Sequence, residues 1–587
     1  MSFLPRSRSN VCNVAGGALG IILIVVLLLG ILSVSVVQVL ANGVPTEVWV
    51  NDDWSGLSPG TTVDGHTIGY DAFATIQDGI DNVASGGTVH VMPGEYLEQL
   101  MIDKPLTLKA EGSGVVVKPP SGTLTTYSVT YEIPDGTKTR TFAPLIMVKD
   151  VSGDVVIDGL IIDGNYELLS RGYQGTDDPI YTGIVYSLSN GEIRNCEIKN
   201  FRPRPDETDL FNNGFAIWVV GYSEVLITGN NIHDYGWMGI VVDGLNYDTV
   251  TIKDNTITGW GPTIQTGQNG IQVSRGAYAK IFSNTITGNA YTGAEWWASG
   301  IIFYDGFGEV VGNLITDNQV GIDGMGDVTG IHIHFNNIYG NTHAGQTVCA
   351  GVYNEGTGTL DATYNWWGDP EGPTVGTPPE SGDSVYGDVD YTPWLKAPLD
   401  SDPDGTGVIA SKQSGGDEIL EFPDSNVDIV VTGSADVYVA TYASNPGAAF
   451  TGDIGNYIDV YVPDVLGLTE LEIRKHYTDA EINALGLAEG TLRLYWWNGT
   501  DWVACSDTGV NVYENYIWAK IRDDTTPSLA DLTGAAFGAA GKSPVGGEIL
   551  SMNETALVML LIQKNLGCIV LTALAIVAMV AVIKRRR

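Results

Sequence analysis

Cysteine is scarce: the 587 residues contain five, and two of them, Cys12 and Cys568, lie inside apolar end segments. Cys196, Cys349 and Cys505 show no CxxC pair and no framework spacing, which excludes a disulfide-stapled scaffold. Cys196 is expected to be a small buried side chain and not a nucleophile. Basic residues are also few. Against 69 Asp and Glu there are 29 Lys and Arg, a net charge of -40, so the chain has no cation clusters with which to hold phosphates, and nucleic acid is excluded as a partner. Such a surface is solvated and recruits cations. Helical periodicity is nearly absent between the ends. One short stretch carries it, with Phe73, Ile76, Ile80 and Val83 on a single face.

What the chain does have is a repeat. The pattern I-x-x-N-x-I recurs around Asn230, Asn255, Asn284, Asn313 and Asn336, and Asn365 closes the series in Tyr364-Asn365-Trp366-Trp367. The intervals are 25, 29, 29, 23 and 29 residues, the differences between those numbers. Between them a Gly followed by an apolar strand recurs at Gly239, Gly270, Gly300, Gly321 and Gly351. Periods of this length with alternating Ile and Val mean stacked strands, and the reading is a parallel β-helix. Inward Ile and Val form its core. The asparagines form a ladder of amides that satisfies buried turn groups, a structural role and not a catalytic one.

The opening of the solenoid carries further marks. The helical stretch is assigned as a cap over the exposed end of the stack. It is followed by Pro93-Gly94-Glu95-Tyr96-Leu97-Glu98 and a strand from Leu106. Helix, turn and strand together resemble the opening of right-handed β-helix proteins of the pectin lyase-like class. The pectinesterase motifs Q-D-T-L, D-F-I-F-G and L-G-R-P-W are absent, which argues against that activity. Residues 120–143, with the Pro134-Asp135-Gly136 turn, read as a hairpin projecting from an early rung. Gly368-Asp369-Pro370 and the later Pro393-Trp394-Leu395 resemble the closing segments of β-helix proteins on archaeal-type cell surfaces.

The expected fold is therefore all-β: a right-handed parallel β-helix with an N-terminal capping helix over 42–399, an acidic linker over 400–416 and a β-sandwich over 417–540. Residues 1–41 read as a signal peptide or signal anchor, after Arg6 and Arg8. Residues 541–565 form a second linker. Residues 566–583 are 18 uninterrupted apolar positions, long enough as a helix to span about 27 Å, with the basic tail 584–587 behind them. The expectation is a cell-surface protein held by this one transmembrane helix, with the membrane and a polysaccharide or glycoprotein glycan as its partners.

Chemistry has to lie on the outside of the solenoid. The pectin lyase-like resemblance implies a groove along one strand of each rung, walled by the loops entering it. Those loops hold Tyr235, Trp237, Trp260, Tyr291, Trp296 and Trp297, whose flat rings suit the apolar faces of sugars. The competing reading is that the rings pack loops onto the barrel. Candidate catalytic groups on the same side are Asp243, Glu295, Asp305, Asp323 and Glu355, with Arg275 as the nearby base. Hydrolysis needs two carboxyls about 5 to 9.5 Å apart, whereas β-elimination needs a basic side chain, often with calcium. In the linker, Asp400, Asp402 and Asp404 before Gly405 resemble a calcium loop without its final Glu, and a flexible acidic linker is the alternative. His332 and His334 alternate with Ile331 and Ile333, so both rings point outward and hold a metal only if a third ligand approaches. Two functions follow: a glycan-binding or envelope module, or a polysaccharide lyase or glycosidase.

Overall fold

The computed structural model describes residues 43–246, 250–294, 296–342, 348–369, 371–375, 382–392, 394–395, 398–399, 410–442, 445–463 and 465–543. Among them, three largely parallel sheets of 13, 12 and 9 strands run the length of the solenoid. Each turn gives one strand to each face, as Met238–Asp243, Val250–Lys253 and Thr256–Thr258 do in one mid-stack rung.

The sequence repeat is the register. Ile227, Ile252, Ile281, Val310 and Ile333 stack on one another, as do Ile232, Ile257, Ile286, Ile315 and Ile338. All are fully buried in one continuous core. Strand side chains alternate across the sheet, so each second residue of the same strands faces outward.

The asparagine ladder is present from end to end. The amide Nδ2 and the backbone N–H of each Asn donate to Oδ1 of the next, as Asn255 does to Asn284 at 2.9 and 3.0 Å. Asn284 does the same to Asn313 at 3.0 and 2.8 Å. Nδ2 also reaches a strand carbonyl, as in Asn284 to Ile252 at 2.9 Å. The residue before each Asn turns the corner with a left-handed φ: Asp254, Ser283, Gly312, Phe335 and Tyr364 lie between 53° and 66°. Cys196 takes the ladder position one rung earlier, buried, with its backbone N–H on Asn230 Oδ1 at 2.9 Å. Burial pushes its thiol up to about 12.

A second ladder runs beside the first. Asn289, Asn318 and Asn341 repeat the same contacts, and Asp383 ends the series by accepting from Asn341 Nδ2 at 2.8 Å.

The capping helix is Ile76–Asn82, with Thr75 as its N-cap and Ile76, Gly79 and Ile80 buried. Glu98, the last residue of the P-G-x-Y-x-E turn, accepts from the N–H groups of Ile76 and Gln77 at 2.8 and 2.9 Å. The turn therefore anchors the cap, because a carboxylate complements the unpaired N–H groups of a helix start. The hairpin, Tyr127–Ile133 with Gly136–Lys149, does not project. It lies back on the outer side of the twelve-stranded face, where Val129, Tyr131 and Phe142 bury Val185, Trp218 and Val241. The alternation of apolar residues along it needed a surface to cover.

The second region is antiparallel and two-layered. The 15-residue strand Val427–Thr441 passes through both layers, with a register shift at Thr432/Gly433. Its first half pairs with Ile419–Phe422 and Leu468–His476, its second with Ala410–Gly416 and Ile458–Tyr461. Ala410–Gly416 is thus a strand, which shortens the expected linker 400–416 at its C-terminal end. The region docks on the solenoid. Phe282, Val311, Phe335, Tyr364 and Trp366 pack with Tyr438, Ala440 and Tyr461 in one cluster. Gly312 sits under the Tyr438 hydroxyl, and a Cβ there would collide with it.

One expectation is corrected. No helix among the described residues is long and apolar enough to cross a membrane. The single transmembrane helix, the membrane partner and the surface location resting on it are withdrawn, and residues 566–583, like 1–41, lie outside the described residues.

Candidate functional site

One outward column on the twelve-stranded face organises the site. Met147, Val185, Trp218, Val241, Gln272, Ile302, Asp323, Tyr353 and Tyr386 are successive register partners. The hairpin covers the column as far as Val241. Beyond it the column changes character, to Gln272, Asp323 and two tyrosines.

Where the hairpin ends, Asp243 is buried and fully partnered. It accepts from Ser274 Oγ at 2.8 Å, from Arg275 Nη1 at 2.7 Å and from the Tyr131 hydroxyl. Burial opposes the charge of Arg275, but Asp243 raises its pKa above the ordinary arginine value. An arginine so held is a cation and not a base. Asp243 and Arg275 form a clamp on the hairpin, and the expected roles of acid and base find no support in their geometry.

Asp323 and Glu355 lie further along. Trp297 Nε1 donates to Asp323 Oδ2 at 2.9 Å. Asp323 is fully buried, and both Asp323 Oδ1 and Glu355 Oε1 are buried without a donor. Burial, reinforced by the charge of Glu355, pushes the Asp323 carboxyl up to about 7, and burial raises Glu355 as well. A proton held between them supplies the donor that neither oxygen otherwise has. Two neighbouring carboxyls in a low-dielectric place do not both ionise.

The aromatic candidates divide. Tyr235 is fully buried with its hydroxyl on Asn289, and Tyr291 is 8% exposed, so neither ring is open to a ligand. Trp237 packs on Phe215 at 5.9 Å, and Trp260 lies flat on Phe211 at 6.2 Å with the Arg202 guanidinium 4.8 Å away. These four pack loops onto the barrel. Trp296 is 67% exposed, whereas Trp297 is half-buried and meets Tyr353 at 5.8 Å. Tyr353 in turn meets Tyr386 at 6.0 Å, and Tyr304 is exposed. Asp305 is an exposed turn residue with φ 54°. Glu295, Asp400, Asp402 and Asp404, and with them the calcium expectation, lie outside the described residues.

Tyr353, Tyr304 and Gln272 were missed in the sequence. The signal was present, since Gln272, Asp323 and Tyr353 each stand two places after a repeat glycine.

A carboxylate reaches both outward histidines. His332 Nδ1 and His334 Nε2 lie 3.3 and 3.2 Å from one oxygen, Asp361 Oδ2. The ligand atoms of the three fall within 4.8 Å of one another.

Residues 145–338 match the family model described as right handed beta helix region, and the solenoid is a right-handed parallel β-helix. No curated protein matches the chain. Among solved structures, XylC in complex with xylose is similar at 12% identity, covering 56% of this chain and 69% of that one with a TM-score of 0.34. The Azotobacter vinelandii mannuronan C-5 epimerase AlgE6 A-module is similar at 14%, covering 59% and 99% with a TM-score of 0.30. Pectate lyase Pel9A is similar at 12%, covering 60% and 80% with a TM-score of 0.28. Likeness at this level carries no chemistry across.

Proposed function

We propose that the uncovered half of the twelve-stranded face binds polysaccharide, with Trp296, Trp297, Tyr304 and Tyr353 as its ring platform and the Asp323–Glu355 pair as its polar centre. The observation that carries this reading is Trp296, two-thirds exposed beside a Trp297 whose ring is pinned through its N–H to Asp323. A large ring left in water next to a fixed one is costly for folding and useful for stacking. Sugar C–H faces suit such rings, and sugar hydroxyls suit the half-buried carboxyl of Glu355. The net charge of -40 repels polyanions, so a neutral glycan is the expected ligand.

Binding is favoured over cleavage by two facts of geometry. Hydrolysis by paired carboxyls needs both to reach the bond held between them, and Asp323 is fully buried. Arg275, the nearby base considered for elimination, is tied to Asp243. Incubating the protein with a panel of neutral and acidic polysaccharides tests the reading. Binding to a neutral glycan that Trp296→Ala weakens about tenfold, without new reducing ends or unsaturated products, supports it. Product formation replaces it with the lyase or glycosidase reading, and absence of any glycan binding defeats both.

A further inference from the structure

We propose that His332, His334 and Asp361 form a mononuclear site for a divalent transition ion of the zinc class, with a fourth position open to water. All three residues stand on the outward side of the thirteen-stranded face, away from the aromatic column. His332 and His334 alternate on the strand Ile331–His334, and Asp361, in the strand Leu360–Asp361, is the register partner of His332. Adjacent strands of a closed solenoid hold such side chains without loop flexibility.

The distances suit an ion as well as a salt bridge. Charge-assisted hydrogen bonds between nitrogen and carboxylate run about 2.7 to 2.9 Å. Zinc bonds of about 2.0 to 2.2 Å in a tetrahedron place ligand atoms about 3.3 to 3.5 Å apart. His332 Nδ1 and His334 Nε2 stand 3.3 and 3.2 Å from Asp361 Oδ2, at the edge length of such a tetrahedron and longer than a good hydrogen bond.

The neighbours orient the ligands. Thr363 Oγ1 donates to Asp361 Oδ1 at 3.1 Å, so it is an acceptor for His334 Nδ1, 3.0 Å away. The Thr363 carbonyl, 3.2 Å from the same Nδ1, accepts there too. With these two acceptors on Nδ1, Nε2 is the nitrogen left facing the Asp361 carboxylate, in position to ligate a cation between them. A backbone or side-chain acceptor on the far nitrogen is how metal-binding imidazoles are usually fixed. Glu309, the register partner of His332 on the other side, is occupied by the hydroxyls of Tyr278 at 2.7 Å and Tyr461 at 3.2 Å. The ligand set is therefore two imidazoles and one carboxylate. His332 is half exposed, which leaves room for water at the fourth position. Two nitrogens favour a transition ion over calcium, which takes six or more oxygens.

The site borders the seam between the two regions, since the ring of Tyr461 lies 6.2 Å from that of His334. The test uses the full chain, stripped with a chelator and titrated with zinc sulfate in a calorimeter, then with cobalt(II) followed in the visible spectrum. One equivalent of zinc and a tetrahedral cobalt band are expected. His332→Gln, at an exposed position that does not threaten the fold, should weaken zinc at least tenfold, and Asp361→Asn should do the same. Zinc binding that is absent, that survives His332→Gln, His334→Gln and Asp361→Asn alike, or that an equal concentration of calcium displaces, overturns the proposal.

Discussion

The two halves of the twelve-stranded face differ in what covers them and in the residues that face outward. Up to Val241 the outward column is apolar, and the hairpin that hides it is secured by Tyr131 on Asp243. From Gln272 onward the same column is mostly polar and aromatic, interrupted by Ile302, with an exposed Trp296 in a neighbouring loop and a carboxyl pair short of donors. Rungs of one repeat thus serve both as core and as surface. Position in the repeat says which way a side chain points, and only the covering element says what it does there.

The largest effect is expected in the covered half. Asp243→Ala leaves Arg275 and the Tyr131 hydroxyl without their partner, and the loss should be about 3 kcal/mol in denaturant unfolding. A loss below about 1 kcal/mol breaks the contrast between a satisfied half and an unsatisfied one. Next comes the ladder, which both halves share. Asn284→Leu strips the acceptor from Asn255 and should destabilise the stack by roughly 1 to 3 kcal/mol in thermal melts, and an unchanged melt refutes a stabilising role for the ladder.

In the open half the same kind of deletion should act on binding. Trp296→Ala is expected to change stability by less than about 0.5 kcal/mol, while glycan affinity falls about tenfold, equal to about 1.4 kcal/mol. A large stability loss would mean that the ring packs the loop and offers no platform. The contrast also has a pH dependence. Burial raises the folded-state pKa of Asp323 to about 7, so its contribution is complete in acid and is lost as the pH rises through that value. The melting temperature should decline from about pH 4 to about pH 7, and Asp323→Asn should flatten the decline. Parallel curves for the two proteins would show that the carboxyl pair holds no proton.

Much of the solenoid was legible because its spacing is the geometry. The 29-residue step from Asn284 to Asn313 is a stack of amides, and the same step from His332 to Asp361 joins two ligands. The second ladder was equally visible, since Asn289, Asn318 and Asn341 each stand five places after a member of the first. The aromatic row was not. Tyr235 and Trp296 look alike in the chain, yet one ends inside the barrel and the other in water, because loop residues have no repeat to set their direction.

The sequence by itself determined the rung, its inward Ile and Val, the Asn corner and the excess of negative charge, since each is a local pattern that strand alternation and hydrogen bonding turn into structure. Tertiary structure alone decided where the hairpin lies, which tryptophan stays exposed, and that Asp323 meets Glu355 across one rung. These depend on contacts between segments far apart in the chain, where burial and the presence or absence of a donor set what a side chain can do.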